Sequence, residues 1–481
     1  MSRPGVDGGA DPPGPSSPIE EIDRALAALG VDVAALAREG AGPPPGDGAV
    51  PSSGNGIVGD GDVATAERPG PAVIAPRHRF GPPLPRNFRL LWGATALSNL
   101  GDGLRLVALP LLATTITDDP RLIAGVTVAE RLPWLLFILP GGVWADRFDR
   151  RKLRVNLDIA RAIVMAALAV VILLDQVSIV ALFVVAALLA SAEAVVDSSS
   201  MAMIPATVES ADLERAVGRL GSTELAMNDL AGPPLGGLLF GLAVAAPFGL
   251  DALSFAGAAL VMGLMTGSYS SGVVTDRPVS MRARVSEGFG WLWRHRLLRT
   301  LALISTGLGT ASFISSAVFV IFARDELGLS EFGYGLLLVP GALGGIIGSL
   351  AAPRLRRLPL RVTLMASVLG AGLSTLLIAV VSVPILVGLL SAVTLGSIMV
   401  WNVLTLALRQ RLIPNELLGR VGASYRFLVF LGMPVGALIG GLVTNQYDVR
   451  TAIVVSGCML LVVGLIVPLV LRSPQRYGSE T

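Results

Sequence analysis

Ten ionisable side chains, Asp102, Arg105, Glu130, Arg131, Asp158, Arg161, Glu193, Asp197, Glu224 and Asp229, fall inside stretches that are otherwise apolar. An ionised group at the centre of a bilayer costs about 2.5 to 3.5 kcal/mol on insertion scales, so charges placed there are candidates for function. Asp102 lies in Asn99-Leu100-Gly101-Asp102-Gly103, where flanking glycines loosen a helix and let backbone approach a ligand; Arg105 shares its face at i+3. Burial favours the protonated acid and a neighbouring guanidinium favours the carboxylate, so a conformational change that tips this balance binds or releases a proton. A permanent ion pair that only fixes helix packing is the competing reading for Asp102. Glu193 and Asp197 stand one helical turn apart, share a face, and together favour one protonated member; structural pairing with Arg161 competes with that role. Glu224 and Asp229 have no obvious basic partner and are expected to line a polar cavity.

A second constellation is the loop Gly142-Val143-Trp144-Ala145-Asp146-Arg147-Phe148-Asp149-Arg150-Arg151-Lys152, set between two apolar stretches long enough to cross a bilayer. A carboxylate followed by a run of guanidinium groups suits a membrane surface, where fixed charges lock or release neighbouring helix ends as a carrier changes conformation. A third is Gly232-Pro233-Pro234-Leu235-Gly236-Gly237, which is expected to bend or break its helix and allow close packing against a neighbour.

The elements that position these groups are membrane helices. The chain of 481 residues is 53% hydrophobic and 15% charged, with a mean hydropathy of +0.70, far from soluble-domain usage. From Phe88 onward, apolar segments of roughly 20 residues follow one another, the length that spans the hydrocarbon core. Twelve are expected, at 88–115, 122–145, 153–174, 178–201, 216–242, 248–268, 297–323, 332–353, 360–381, 384–408, 422–444 and 450–471. They predict an all-α membrane protein with two six-helix bundles, 86–268 and 297–473, related by a pseudo-two-fold axis and joined by a cytoplasmic linker at 269–296. In that linker Phe289, Trp291 and Trp293 beside Arg294 and Arg296 suggest an interfacial segment.

Residues 1–85, rich in Gly, Pro, Ser and Asp, are expected to form a disordered tail. Within it, 18–38 repeats apolar residues at helical spacing; a transient helix in a flexible tail is the leading reading and a short docking helix the alternative. No basic start and apolar core of a signal peptide is found there, and 474–481 is a short polar tail. An internal repeat supports two halves: Ile204-Pro205, Gly218-Arg219-Leu220-Gly221 and Pro234-Leu235-Gly236-Gly237-Leu238 are echoed by Ile413-Pro414, Gly419-Arg420-Val421-Gly422 and Pro434-Val435-Gly436-Ala437-Leu438. The charged loop has a faded copy with Arg356-Arg357, in which Ala352 stands where Asp146 does. The intramembrane charges did not duplicate, since the last six segments hold little beyond Arg426; coupling chemistry is therefore expected in the first bundle.

Arginine marks the inside. Arg147, Arg150, Arg151, Arg215, Arg284, Arg294, Arg354, Arg356, Arg357, Arg409, Arg411 and Arg420 fall in alternate loops, while the opposite loops hold little beyond Arg121, Arg324 and Arg450. That bias places both termini in the cytoplasm of a multi-pass protein of the plasma membrane. With one cysteine, Cys458, and two histidines, His78 and His295, no disulfide within the chain and no Cys- or His-based metal site is expected. A net charge of +2 gives no reason to expect a nucleic-acid partner. The absence of a GxxxxGK[ST] loop argues against a primary pump, and no nucleophile and base are placed together as in an enzyme.

The helix count, the charged loop, the Gly-Pro segment and the repeat resemble the major facilitator superfamily over residues 86–473. Leu91-Trp92, Ser98 to Gly103, Glu130-Arg131-Leu132-Pro133, Asp158 with Arg161, Glu193 with Asp197, and Leu412-Ile413-Pro414 are similar to the branch of enterobactin exporters and macrolide efflux proteins. The resemblance implies a conformational latch at Gly142, Asp146, Arg147, Arg150 and Arg151, and an antiporter-type motif at Gly232, Pro233, Gly236 and Gly237. Two departures stand out: Asp149 replaces the usual glycine of the loop and is expected to compete with Asp146 for the arginines, and Asn228 replaces the first glycine of the fuller helix 5 motif.

The expected function is therefore secondary active export of a small amphipathic molecule, a drug, macrolide or siderophore-like compound, by proton antiport. No cofactor is expected beyond the proton gradient, and the carrier is expected to be a monomer in the lipid bilayer. Uptake or lipid flipping on the same fold is the alternative, because fold does not fix direction or ligand; a receptor that signals through the tail is a third reading. Asn99, Met227, Asn228, Trp401 and Asn402 are the positions nominated for the substrate cavity, with helix packing an equal alternative for Trp401 and Asn402.

Overall fold

The computed structural model describes residues 84–137, 148–269 and 281–470, and among them the regular elements are all helical. The expected helix at 18–38, the C-terminal tail at 474–481, and Gly142, Asp146 and Arg147 of the charged loop lie outside the described residues. The helices are α1 (Arg86–Ile116), α2 (Pro120–Phe137), α3 (Arg150–Leu173), α4 (Ile179–Thr207), α5 (Leu213–Glu224), α6 (Gly232–Leu242) and α7 (Ala246–Gly263). They are followed by α8 (Met281–Arg294), α9 (Arg296–Ser316), α10 (Glu331–Leu355), α11 (Leu360–Val380), α12 (Pro384–Leu412), α13 (Leu418–Gln446) and α14 (Val449–Val470).

Among the described residues, nine helices are long and apolar enough to cross a membrane, one of them α9 extended through Glu326. The other expected spans are also helical, but α1 and α2 carry several charges and the fifth is interrupted between α5 and α6. Helix is the only open arrangement that satisfies every backbone N–H and C=O where no water competes. Leu173 (72% exposed), Leu242 (74%) and Ile385 (77%) direct aliphatic side chains outward, which is costly in water and neutral in lipid. Cys458 is exposed as well, on a helix of the outer ring.

In the first bundle α1 packs on α6 and α7, α3 on α4 and α7, and α2 on α4; in the second α10 packs on α12, α11 on α14, and α9 on α13. Small residues set these distances. Gly344 and Gly348 of α10 lie against the backbone of Ala392 and Gly396 of α12, where a Cβ on either glycine would overlap it. Within the linker, Met281–Arg294 forms α8, which docks on the second bundle: Gly288 abuts the Arg420 backbone, Glu287 pairs with Arg420 at 2.6 Å, and Leu292 is fully buried.

The bundles meet along α2–α13 and α6–α10. Contact is closest at the end opposite the arginine-rich loops, where Gly237 touches the Glu331 backbone, Gly335 touches Pro233 and Pro234, and Gly441 touches Pro120 and Arg121. Further along, Trp134 stacks on Phe430 at 5.9 Å and the Arg131 guanidinium lies 5.4 Å from the Phe313 ring centroid.

Asp149 finds donors at the start of α3 and after α7. It caps α3, its carboxylate accepting from the Lys152 N–H at 3.0 Å, the Ser268 hydroxyl at 2.8 Å and the Tyr269 N–H at 3.1 Å, and so ties α3 to the segment after α7. Arg150 and Arg151 donate to the carbonyls of Ala202 at 3.3 Å and Gly263 at 2.5 Å, tying the same turn to α4 and to the end of α7. Partial burial raises the Asp149 carboxyl, but these donors outweigh it and hold the group below the usual carboxylate range. A depressed folded value contributes stability that is full above the unfolded pKa and is lost as pH falls through the folded one. Asp149→Ala is thus expected to lower thermal stability at pH 7 by about 1 kcal/mol, as loss of an N-cap does. The gap should close in acid; an equal gap at every pH would contradict this account.

Candidate functional site

The site begins at Asp102, in the middle of α1. Arg105, one turn on, reaches three carboxylates: Glu193 of α4 at 2.8 Å, Asp102 at 2.9 Å and Glu130 of α2 at 3.4 Å. Arg161 of α3 also donates to Asp102, and to the Ser98 hydroxyl at 3.1 Å, while its guanidinium lies 3.8 Å from the Phe255 ring centroid of α7. Asp102 is therefore held between two cations from different helices. One layer further, Arg154 donates to Thr95 at 3.2 Å and to Ser200, and pairs with Asp158 at 3.5 Å; Arg161 stands 3.7 Å from the same carboxylate. Asp158 is fully buried, and neither of its oxygens makes a hydrogen bond.

Asp102, Arg105, Arg161 and Glu193 thus come together as one network, with Glu193 on Arg105 and not on Arg161. Asp197, one turn away, joins no ion pair among the described residues yet lies in the field of Glu193, Asp102, Glu224 and Arg161. Asp197 and Glu224 are both exposed residues on the first bundle. Asp229 accepts from the neighbouring Asn228 amide at 2.9 Å, and among the described residues neither Glu224 nor Asp229 forms a salt bridge.

The Gly-Pro segment explains itself through the missing donors. Pro233 and Pro234 have no N–H for the carbonyls of Asp229 and Leu230, and the ladder widens: Leu225–Ala231 is π-helical, with the Gly232 N–H bonded to the Met227 carbonyl. The widened turn presses the Met227 and Asn228 carbonyls onto Gly103, where a Cβ would come within 2.8 and 2.7 Å of them. Gly232 sits on Gly103 and Gly236 on the Leu104 carbonyl, so the motif brings the fifth span onto α1 beside Asp102.

Of the positions nominated for a cavity, Asn99, Met227 and Asn228 are partly exposed beside this network. Trp401 takes the packing alternative. It is 1% exposed and buried in the second bundle, its indole N–H donating to Ser305 at 3.0 Å, and Ser305 bonds Tyr425 at 2.7 Å. A buried indole needs an acceptor, and the one it finds is inside its own bundle. Asn402, the next residue, is exposed.

Two groups were absent from the sequence-based set. Arg154, within the span expected at 153–174, is a full turn inside α3 and buried there. Asp251 lies within the span expected at 248–268; α7 begins at Ala246, and Asp251 is fully buried against Gly101 of α1. No cluster of three or more His, Cys, Asp or Glu suited to a metal occurs among the described residues.

Two contacting helical bundles with charged groups at mid-membrane depth define a membrane transporter rather than an enzyme. Residues 79–477 match the family model described as transmembrane secretion effector, and the chain belongs to that family of the major facilitator superfamily. It is 27% identical over 397 residues to the multidrug efflux pump Tap of Mycobacterium tuberculosis, covering 78% of this chain and 91% of that one. It is 27% identical to the enterobactin exporter EntS of Salmonella paratyphi A (82% and 94% covered) and 20% identical to macrolide efflux protein A of Streptococcus pyogenes (80% and 95%). The crystal structure of the nucleoside transporter NupG (D323A mutant) superposes with a TM-score of 0.68 at 13% identity, covering 80% of this chain and 99% of that one, and shares the fold. The protein is a multi-pass membrane transporter of the efflux class.

Proposed function

We propose that this protein exports a small amphipathic molecule, a drug, macrolide or siderophore-like compound, across the plasma membrane in exchange for protons, acting as a monomer with both termini in the cytoplasm. The carrying observation is the charge balance of the first bundle. Six carboxyl groups, Asp102, Glu130, Asp158, Glu193, Asp197 and Asp251, surround four guanidinium groups, Arg105, Arg131, Arg154 and Arg161. Fully ionised, the cluster would hold two uncompensated negative charges in a medium of low dielectric, which protons relieve.

The cycle follows from where the bundles touch. With the far end closed and Asp197 and Glu224 open to the arginine-rich side, a substrate enters from the cytoplasm and protons leave to it. Closing that side and parting α6 from α10 exposes the network outward, where substrate leaves and protons reload. Each charge moving inward gains about 2.3 kcal/mol per 100 mV of potential. Asp146 and the loop arginines act as the latch on the cytoplasmic side. The identities of the efflux relatives support the direction and the amphipathic substrate class.

The test uses energised inverted membrane vesicles and a panel of macrolides, dyes and catechol siderophores. A compound that dissipates the internal acid gradient only when this protein is present is the expected result. Accumulation of a panel compound by intact cells, with no dissipation in vesicles, would replace export by uptake.

A further inference from the structure

The excess of acid over base leaves open which carboxyl holds a proton, and the surroundings of Asp251 answer that. Its side chain is fully buried on α7. Oδ1 has the Ser254 hydroxyl at 3.3 Å, a weak contact because that hydroxyl also donates to the Asp251 carbonyl at 2.8 Å; Oδ2 has no hydrogen-bond partner. No cation lies within ion-pair distance of it among the described residues, in contrast to Asp102, Glu130, Asp158 and Glu193. The carboxyl occupies the space that a side chain on Gly101 would fill: a Cβ there would overlap both Asp251 Oδ1 and the Ser254 hydroxyl. Gly101 directly precedes Asp102, so Asp251 is seated on the turn of α1 that carries the network.

An anionic carboxylate without a cation or a full set of donors is the costliest way to bury this side chain; the neutral acid is the cheapest. The charged groups that face it are Asp102 and Arg105 of α1 and Arg161 of α3. All three are engaged with one another in this conformation, so neither guanidinium is available to Asp251.

We infer that Asp251 is a proton-carrying group of the transport cycle, neutral in this conformation and ionised when Arg105 or Arg161 turns from Asp102 towards it. In that step the Oδ2–H bond breaks, the electron pair stays on Asp251, the proton passes to water admitted beside Asp102, and the released guanidinium supplies the counter-charge. The inference rests on the proposed antiport, and adds the residue that stores the proton.

The full chain reconstituted in lipid vesicles is the sample, and its infrared spectrum in H2O and D2O near neutral pH is the first readout. Wild type should show the carbonyl stretch of protonated carboxyl groups, reduced by one component in Asp251→Asn, with that component present but displaced in Ser254→Ala, which keeps the acid and loses its hydroxyl neighbour. A band of the same size in folded Asp251→Asn overturns the assignment. Should Asp251→Asn fail to fold, Ser254→Ala decides: an unmoved band overturns it equally. The second readout is proton release on adding ethidium as the transport probe, or erythromycin if ethidium gives no signal. Release that is lost in Asp251→Asn supports the role. Wild-type release that Asp251→Asn retains in full refutes the role of Asp251 and leaves antiport standing. No release from wild type with a probe it demonstrably transports refutes antiport, and the cycle role of Asp251 with it.

Discussion

Asp102→Asn is expected to lower proton-driven efflux by about a hundredfold or more, to the level of vesicles without the protein, while the chain still inserts and folds. Asn keeps the shape and loses the charge that two guanidinium groups contact. Removing one member of a buried ion pair costs about 3 to 5 kcal/mol when nothing replaces it, and 3 kcal/mol is about a hundredfold in an equilibrium. Here the loss falls on conformational coupling more than on folding. Arg105 retains Glu193 and Glu130, and Arg161 retains Ser98, Asp158 and the Phe255 ring. What disappears is the one carboxylate both arginines share, and with it the link that makes the motion of one felt by the other. Dissipation of an acid gradient by a transported dye, with thermal stability measured in parallel, reads both effects. Full gradient coupling in the folded variant would remove Asp102 from the mechanism.

Gly335→Leu is expected to shift the carrier strongly towards its outward-open form. Gly335 of α10 lies on the Pro233 carbonyl and Pro234 of α6, where even a Cβ overlaps backbone, and backbone cannot move aside as a side chain can. Overpacking costs about 1 to 3 kcal/mol, which displaces a two-state equilibrium by roughly 5- to 150-fold. Only the conformation closed at this end bears the cost, so the population moves and helix stability is little altered. Spin labels on the two bundles at the arginine-rich end should report shorter distances than in wild type, with the exposed native Cys458 first replaced. Transport should fall with them. Unchanged distances would mean that this contact does not close the far end.

Much of this arrangement was legible as chain pattern. Asp102 and Arg105 at i+3 announced an intrahelical pair, and the prolines after Gly232 announced a break, because both follow from helical geometry over a few residues. The roles of Trp401 and Asp251 lay beyond local pattern for one shared reason. A buried side chain takes its role from what lies opposite it on another helix, and nothing local distinguishes a Trp that faces Ser305 in its own bundle from one that faces a cavity. Nothing in the segment around Asp251 likewise points to the Gly101 turn on which it is seated. For Asp149, local pattern points to arginines, whereas two of its donors, Ser268 and Tyr269, lie more than a hundred residues on.

The sequence by itself determined that this is a helical membrane transporter with an internal repeat and that its charges lie in the first half. Hydrophobic length, arginine bias and duplication are properties of composition and spacing, and the bilayer enforces them on each segment alone. Only the tertiary structure decided which acid meets which base: Arg105 on Glu193, Arg161 on Asp102, and Asp251 with no ion pair among the described residues. It also showed at which end the bundles close. Those outcomes depend on crossings between helices distant in the chain, set by glycines such as Gly101, Gly103 and Gly335 that admit backbone or carboxyl where a single Cβ would not fit.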